Sequence, residues 1–119
     1  MRDSRTLNVW QRAHQVTLRV YTATRTFPKD QLHGLTSQIR RSAASIPTNL
    51  AEGCGRSGGA GFARFLNIAM GSASELENRL SRAHDLKLLD ADEHQALSAD
   101  VIEMKRTLAS LFRRPKAEC

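Results

Sequence analysis

Two cysteines, Cys54 and Cys119, are all that the 119 residues hold. That is too few for the disulfide framework of a small secreted domain, so free thiols are expected. The opening stretch MRDSRTLNVWQR has no apolar core of the signal-peptide kind. No apolar run approaches the ~20 residues needed to cross a bilayer. These absences exclude a membrane partner and predict a cytoplasmic location. Aromatic residues are scarce, at 5%, and no alternation of apolar and polar residues lasts long enough to mark a strand. What remains is rich in Ala, Leu, Arg and Ser, and unbranched side chains lose little rotamer freedom in a helix. With 40% hydrophobic residues the chain can bury one core, which predicts a single domain over residues 1–119.

Acid is scarce in one half of the chain. Residues 1–64 hold ten Lys or Arg against three acids (Asp3, Asp30 and Glu52), a balance of +7. Residues 65–119 hold eight against nine, a balance of −1, and the two halves make the +6 of the whole. Fourteen of the eighteen basic residues are Arg, whose planar fork suits phosphate and carboxylate. The basic half is a candidate surface for a polyanion; a solvated, charged exterior is the plainer reading of the same numbers.

Helical periodicity appears four times. The first segment covers residues 7–26, with Trp10, Ala13, Thr17, Val20, Tyr21 and Thr24 on one face, and stops at Phe27 and Pro28. Residues 29–34 read as a polar loop. The second covers residues 35–53, with Leu35, Ile39, Ala43, Ile46 and Leu50 in register and Gly53 suited to the left-handed position that ends a helix. Pro47 lies inside it and deletes the hydrogen bond to the Ala43 carbonyl, which predicts a kink in one continuous helix. A glycine-rich hinge follows over residues 53–61, without the strand and Gly-Lys of a phosphate-binding loop. The third segment, residues 60–88, carries Phe62, Leu66, Ala69, Ala73, Leu76, Leu80 and Ala83. The fourth, residues 91–113, carries Leu97, Val101, Met104, Leu108 and Leu111, with Asp90 or Asp92 as its cap. Short connections between long amphipathic helices make neighbours antiparallel. The predicted fold class is all-α, an up-down four-helix bundle.

The third segment is short of charge. Ten consecutive residues, 65–74, have none, and the apolar side chains from Phe62 to Met70 point in nearly every direction. A helix apolar all round is buried all round, so Phe62, Phe65, Ile68 and Met70 are expected at a contact between copies of the chain.

Arg5, Arg12 and Arg19, spaced by sevens, share a stripe about 130° from the centre of the first helix's core face. Arg40 and Arg41 are adjacent on the second helix, and Arg56 and Arg64 frame the hinge. These seven are the candidate nucleic-acid-binding residues, because arginines along one side of a bundle meet successive phosphates without reading bases. Pairing within the chain, of Arg40 or Arg41 with Glu52 or Glu75, is the competing reading. Trp10 and Tyr21 fall on the core face, so no base-stacking platform is expected, and no helix-turn-helix or zinc-finger spacing occurs. His14, His33, His84 and His94 lack HxxH or HExxH spacing, so neither a metal site nor a cofactor is predicted. Arg79 and His84 have the Arg-x4-His spacing of helical-bundle ribonucleases, in which His acts as acid or base beside a phosphate held by Arg. Chance supplies that spacing readily among fourteen arginines and four histidines, and no catalytic residue is assigned. Asn49 and Glu52, one turn apart, read as interhelical hydrogen-bond formers.

The stretch GLTSQIRRSAASIPTNLAEG at residues 34–53 resembles the signature of the 23S rRNA intervening sequence proteins. FLNIAMGS at 65–72, followed by Glu75 and Glu77, is similar to that family's second block, and Val9-Trp10 with Phe27-Pro28 to its opening. The resemblance covers nearly the whole chain. His33 departs from it, as do the glycines at 58, 59 and 61. It implies a four-helix bundle assembled as a ring-like homopentamer, basic towards nucleic acid and without enzymatic activity, and a relation to accessory proteins of diversity-generating retroelements. By position, Arg40, Arg41, Asn49, Glu52, Gly53 and Arg56 match its pattern. The function expected is therefore a non-catalytic oligomer that binds RNA or DNA without sequence specificity through its arginines. The alternatives are a scaffold for an acidic partner protein and a ribonuclease using Arg79 and His84.

Overall fold

The computed structural model describes residues 8–55 and 59–113, with the backbone alone at 59 and 60. It contains four long helices: α1 (Asn8–Thr24), α2 (Ser37–Gly55), α3 (Gly59–Asp85) and α4 (Ala91–Arg113). Side-chain pairs fix their directions. Thr17 meets Ala43 and Tyr21 meets Arg40, so α1 and α2 are antiparallel. Arg79 meets Gln38 and Ser45 meets Ser72 between α2 and α3. His84 stacks on His94 and Glu77 binds Lys105 between α3 and α4. Arg12 binds Glu103 and Arg19 binds Asp100, closing α1 against α4. The result is an up-down-up-down bundle of 43 × 24 × 20 Å, with its most extensive contact between α2 and α3.

The core stripes of α2, α3 and α4 are those that periodicity predicts. Ile39, Ala43, Ile46 and Leu50 interlock with Leu66, Ala69, Ala73, Leu76 and Leu80 and with Leu97, Val101, Met104 and Leu108, all buried. In α1 the face is turned. Val9, Ala13, Val16, Val20 and Thr24 point inward, which rotates the core face by about 50° from the predicted set at 100° per residue. Trp10 is only half-buried and Tyr21 is 42% exposed.

The expected polar loop after α1 is partly helical, a 3-10 turn at Lys29–Gln31 and a π-turn at Leu32–Thr36. Gly34 leaves helical geometry there (φ −122°, ψ −111°), and α2 starts at Ser37 rather than Leu35. From that point α2 runs unbroken through Pro47. The Thr17 hydroxyl of α1 reaches the carbonyl that the proline frees, its single proton shared between Ala43 O at 3.2 Å and Ala13 O of its own helix at 2.8 Å.

Gly53 sits inside α2 and faces α3, where a Cβ would lie 3.1 Å from Phe62 Cδ1 and 3.1 Å from Phe65 Cβ. Close approach, not a left-handed helix end, is what requires glycine at that position. α3 ends at Asp85, three residues before the predicted end. There Leu88 N–H donates to Ala83 O and Lys87 N–H to His84 O, both at 2.9 Å, with Lys87 in the left-handed region (φ 64°). This is the Schellman pattern of closure. Asp90 then caps α4, accepting from the Glu93 N–H at 2.8 Å. The expectation of free thiols fails at Cys54, which is buried and disulfide-bonded. Cys119 lies outside the described residues. Among the described residues no helix is long and apolar enough to cross a membrane.

Candidate nucleic-acid interface

The heptad that aligns Arg12 and Arg19 on α1 recurs on α4 as Glu93 and Asp100, with Glu103 beside them. On antiparallel neighbours these rows meet. Arg12 Nη1 is 2.8 Å from Glu103 Oε1; Arg19 pairs with Asp100 and lies 3.9 Å from Glu93. The predicted arginine stripe is therefore matched by carboxylates of its own chain, and Arg5 lies outside the described residues. With the core face turned, Arg12 and Arg19 stand at the α4 seam and not on the outer flank.

Arg40 is likewise engaged within the fold. Its Nε donates to Thr24 Oγ1 at 2.8 Å, its Nη2 to the Tyr21 carbonyl at 3.4 Å, and its guanidinium lies 4.8 Å from the centre of the Tyr21 ring. A cation at the C-terminal end of α1 also suits that helix's dipole. Arg64 is exposed over the Phe65 ring at 5.7 Å, and Arg56 lies outside the described residues.

Arg41 differs from these. It is exposed and has no side-chain partner among the described residues. It lines a groove of about 370 Å³ between α2 and α3, together with Gln38, Ser42, Ser45, Ser72, Glu75 and Arg79. The groove continues past Asn78 to Arg82. Arg79 is held by three contacts: Nη1 donates to the Gln38 carbonyl at 3.2 Å and to the Ser42 hydroxyl, and Nη2 lies 3.2 Å from Glu75. Arg82 makes one hydrogen bond, to Asn78 on its own helix at 3.2 Å. Three guanidiniums thus face a channel with a single carboxylate, floored by hydroxyls. Ser45 and Ser72 share a hydrogen bond of 2.8 Å, and the Asn49 amide donates to the Ser45 carbonyl and hydroxyl at 2.7 and 2.9 Å. Asn49 therefore acts on its own helix and reaches α3 only through Ser45. Glu52 is exposed.

Sequence reasoning left Arg82 out of this group. Its signal was present: Arg79 and Arg82 are three residues apart, hence on one face, and the antiparallel register sets them beside Arg41. The expected contact residues of α3 separate as well. Phe62 is 4% exposed and belongs to the bundle's own core, because α2 comes close enough at Gly53 to cover it. Phe65 and Met70 are half-buried, and Ile68 is 41% exposed. Arg79 and His84 do not converge. Arg79 is committed to α2, whereas the His84 ring stacks on His94 of α4 with centroids 4.7 Å apart. Among the described residues no three His, Cys, Asp or Glu side chains gather as a metal site.

A family model described as 23S rRNA-intervening sequence protein matches residues 5–110. Among solved structures, a protein of unknown function from the S23 ribosomal protein family of Bacteroides thetaiotaomicron superposes with a TM-score of 0.82. That comparison covers 88% of this chain and 95% of the other at 24% identity, and it shows a shared fold. No curated protein matches the chain.

Proposed function

The chain belongs to the 23S rRNA-intervening sequence protein family, and from that premise we propose that it is a non-catalytic protein that binds the phosphate backbone of RNA or DNA along the α2–α3 groove. The observation that carries this reading is Arg41, a guanidinium without a side-chain partner among the described residues, set beside Arg79 and Arg82 over a groove whose one acid among those residues is Glu75. Arginine forks bind phosphate oxygens in this way without reading bases. The seam arginines Arg12 and Arg19 are not part of the site. The working form is a homo-oligomer, supported by Ile68 on α3 and by Ile102 and Phe112 on α4, each about two-fifths exposed.

Charge reversal tests the groove. Arg41→Glu with Arg82→Glu weakens binding of a labelled RNA by at least about tenfold at low salt, since a hydrogen bond to a charged group contributes on the order of 1.5 kcal/mol. Neutralising Arg12 and Arg19 to Gln leaves affinity unchanged. Equal losses in the two double variants, read by fluorescence anisotropy, remove the groove as the site.

A further inference from the structure

Ring and apolar side chains come together on an outward stripe of α1. At 100° per residue Trp10, His14, Leu18 and Tyr21 share one side of the helix, over about 16 Å of its length. The Trp10 and His14 rings are stacked, with centroids 5.0 Å apart and planes at 9°. Leu18 and Tyr21 are exposed, and Arg40 covers one part of the Tyr21 ring. These are the only Trp and the only Tyr in the chain, and they stand where solvent reaches them.

Along α1 itself the charge has one sign. The α1 sequence contains no acid. α2 contains one, Glu52, which helical geometry places about 120° from Arg40 and so away from α1. Arg25, exposed and without a side-chain partner among the described residues, extends the stripe past Tyr21. Rings interleaved with guanidiniums on a helix that itself carries no carboxylate suit unpaired nucleobases, because every base offers a π-face and the backbone follows the cations. A duplex keeps those faces inside its own stack. Two copies meeting through this same face on both sides would set Arg25 and Arg40 against their own kind.

We propose that the α1 stripe stacks the bases of single-stranded nucleic acid, so that the protein prefers a single strand to a duplex of the same length. The proposal rests on the nucleic-acid reading above and adds the form of the ligand. Trp10, as the sole Trp, is the probe. Titration with an oligouridylate quenches its fluorescence, and the single strand binds at least about fivefold tighter than an RNA duplex of equal length. Tyr21→Ala weakens single-strand binding by about tenfold, Tyr21→Phe restores it, and duplex affinity is unchanged in both. His14→Ala, at an exposed position, gives a second and smaller loss. Single-strand binding without quenching, and with full affinity in Tyr21→Ala, overturns the stacking proposal and leaves the groove standing. Failure of single strand and duplex alike removes both readings. A fall in assembly mass on Leu18→Ala or Tyr21→Ala, by light scattering, assigns the stripe to a contact between copies and overturns the proposal.

Discussion

Thr17 and Pro47 form a pair that local sequence cannot announce. The proline's missing N–H leaves the Ala43 carbonyl without its helical partner, and the Thr17 hydroxyl, 26 residues before that carbonyl in the chain, lies within reach of it. Thr17→Val leaves that carbonyl unsatisfied and lowers unfolding stability by about 1–2 kcal/mol in urea titrations. In a Pro47→Ala background the backbone N–H returns, and the same substitution costs less than about 0.5 kcal/mol. Additive effects would show that Thr17 does not serve the proline. The freed carbonyl was legible from Pro47 alone. Its partner was not, because no spacing rule connects α1 to a particular carbonyl of α2. The same holds for Arg40, whose neighbours Tyr21 and Thr24 belong to another helix.

Within elements, α2, α3 and α4 carry unambiguous stripes of Ile, Leu, Val and Met, and their phase follows from spacing. α1 carries Val9, Val16, Thr17, Val20 and two rings, which fit two phases equally well. The larger rings favour the wrong one on hydrophobicity alone. That single rotation explains both misplaced features of α1: Trp10 and Tyr21 move outward, and Arg12 and Arg19 move to the α4 seam. Helix ends depend on hydrogen bonds that composition hides. At the end of α3 a lysine occupies the left-handed position of the Schellman turn, where a Cβ is unfavourable. Lys87→Gly relieves that strain, offset in part by the greater freedom of glycine in the unfolded chain. The net gain is about 0.5–1 kcal/mol, seen as a rise in thermal midpoint. A lowered midpoint would place the turn's stability in the lysine side chain instead.

At the scale of the molecule, the +7 half of the sequence is not one basic surface. Part of it is neutralised along the α1–α4 seam by Glu93, Asp100 and Glu103, and part braces α1 through Arg40. Arg25 and Arg41 of that half have no side-chain partner among the described residues, and Arg41 meets Arg79 and Arg82 of the other half along the α2–α3 groove. Net charge was legible; its distribution required the register of antiparallel helices. The shortage of charge in α3 has a similar outcome, since Gly53 lets α2 cover Phe62 and leaves Ile68 as the outward residue. If Ile68 lies in the proposed contact between copies, Ile68→Glu lowers the mass in light scattering from an oligomer to the 13.2 kDa of one chain. A wild-type protein already at that mass contradicts the assembly. Phosphate bound at Arg41 and Arg82 makes RNA affinity fall as salt rises, and that dependence is the most direct measurement. For a single strand the wild type should give a log–log slope of about −1 or steeper, from phosphates neutralised at Arg41 and Arg82, since Arg79 is already paired with Glu75. The Arg41→Glu, Arg82→Glu variant should lose at least about one unit of that slope. A wild-type slope near zero, or one that the variant shares, contradicts the account.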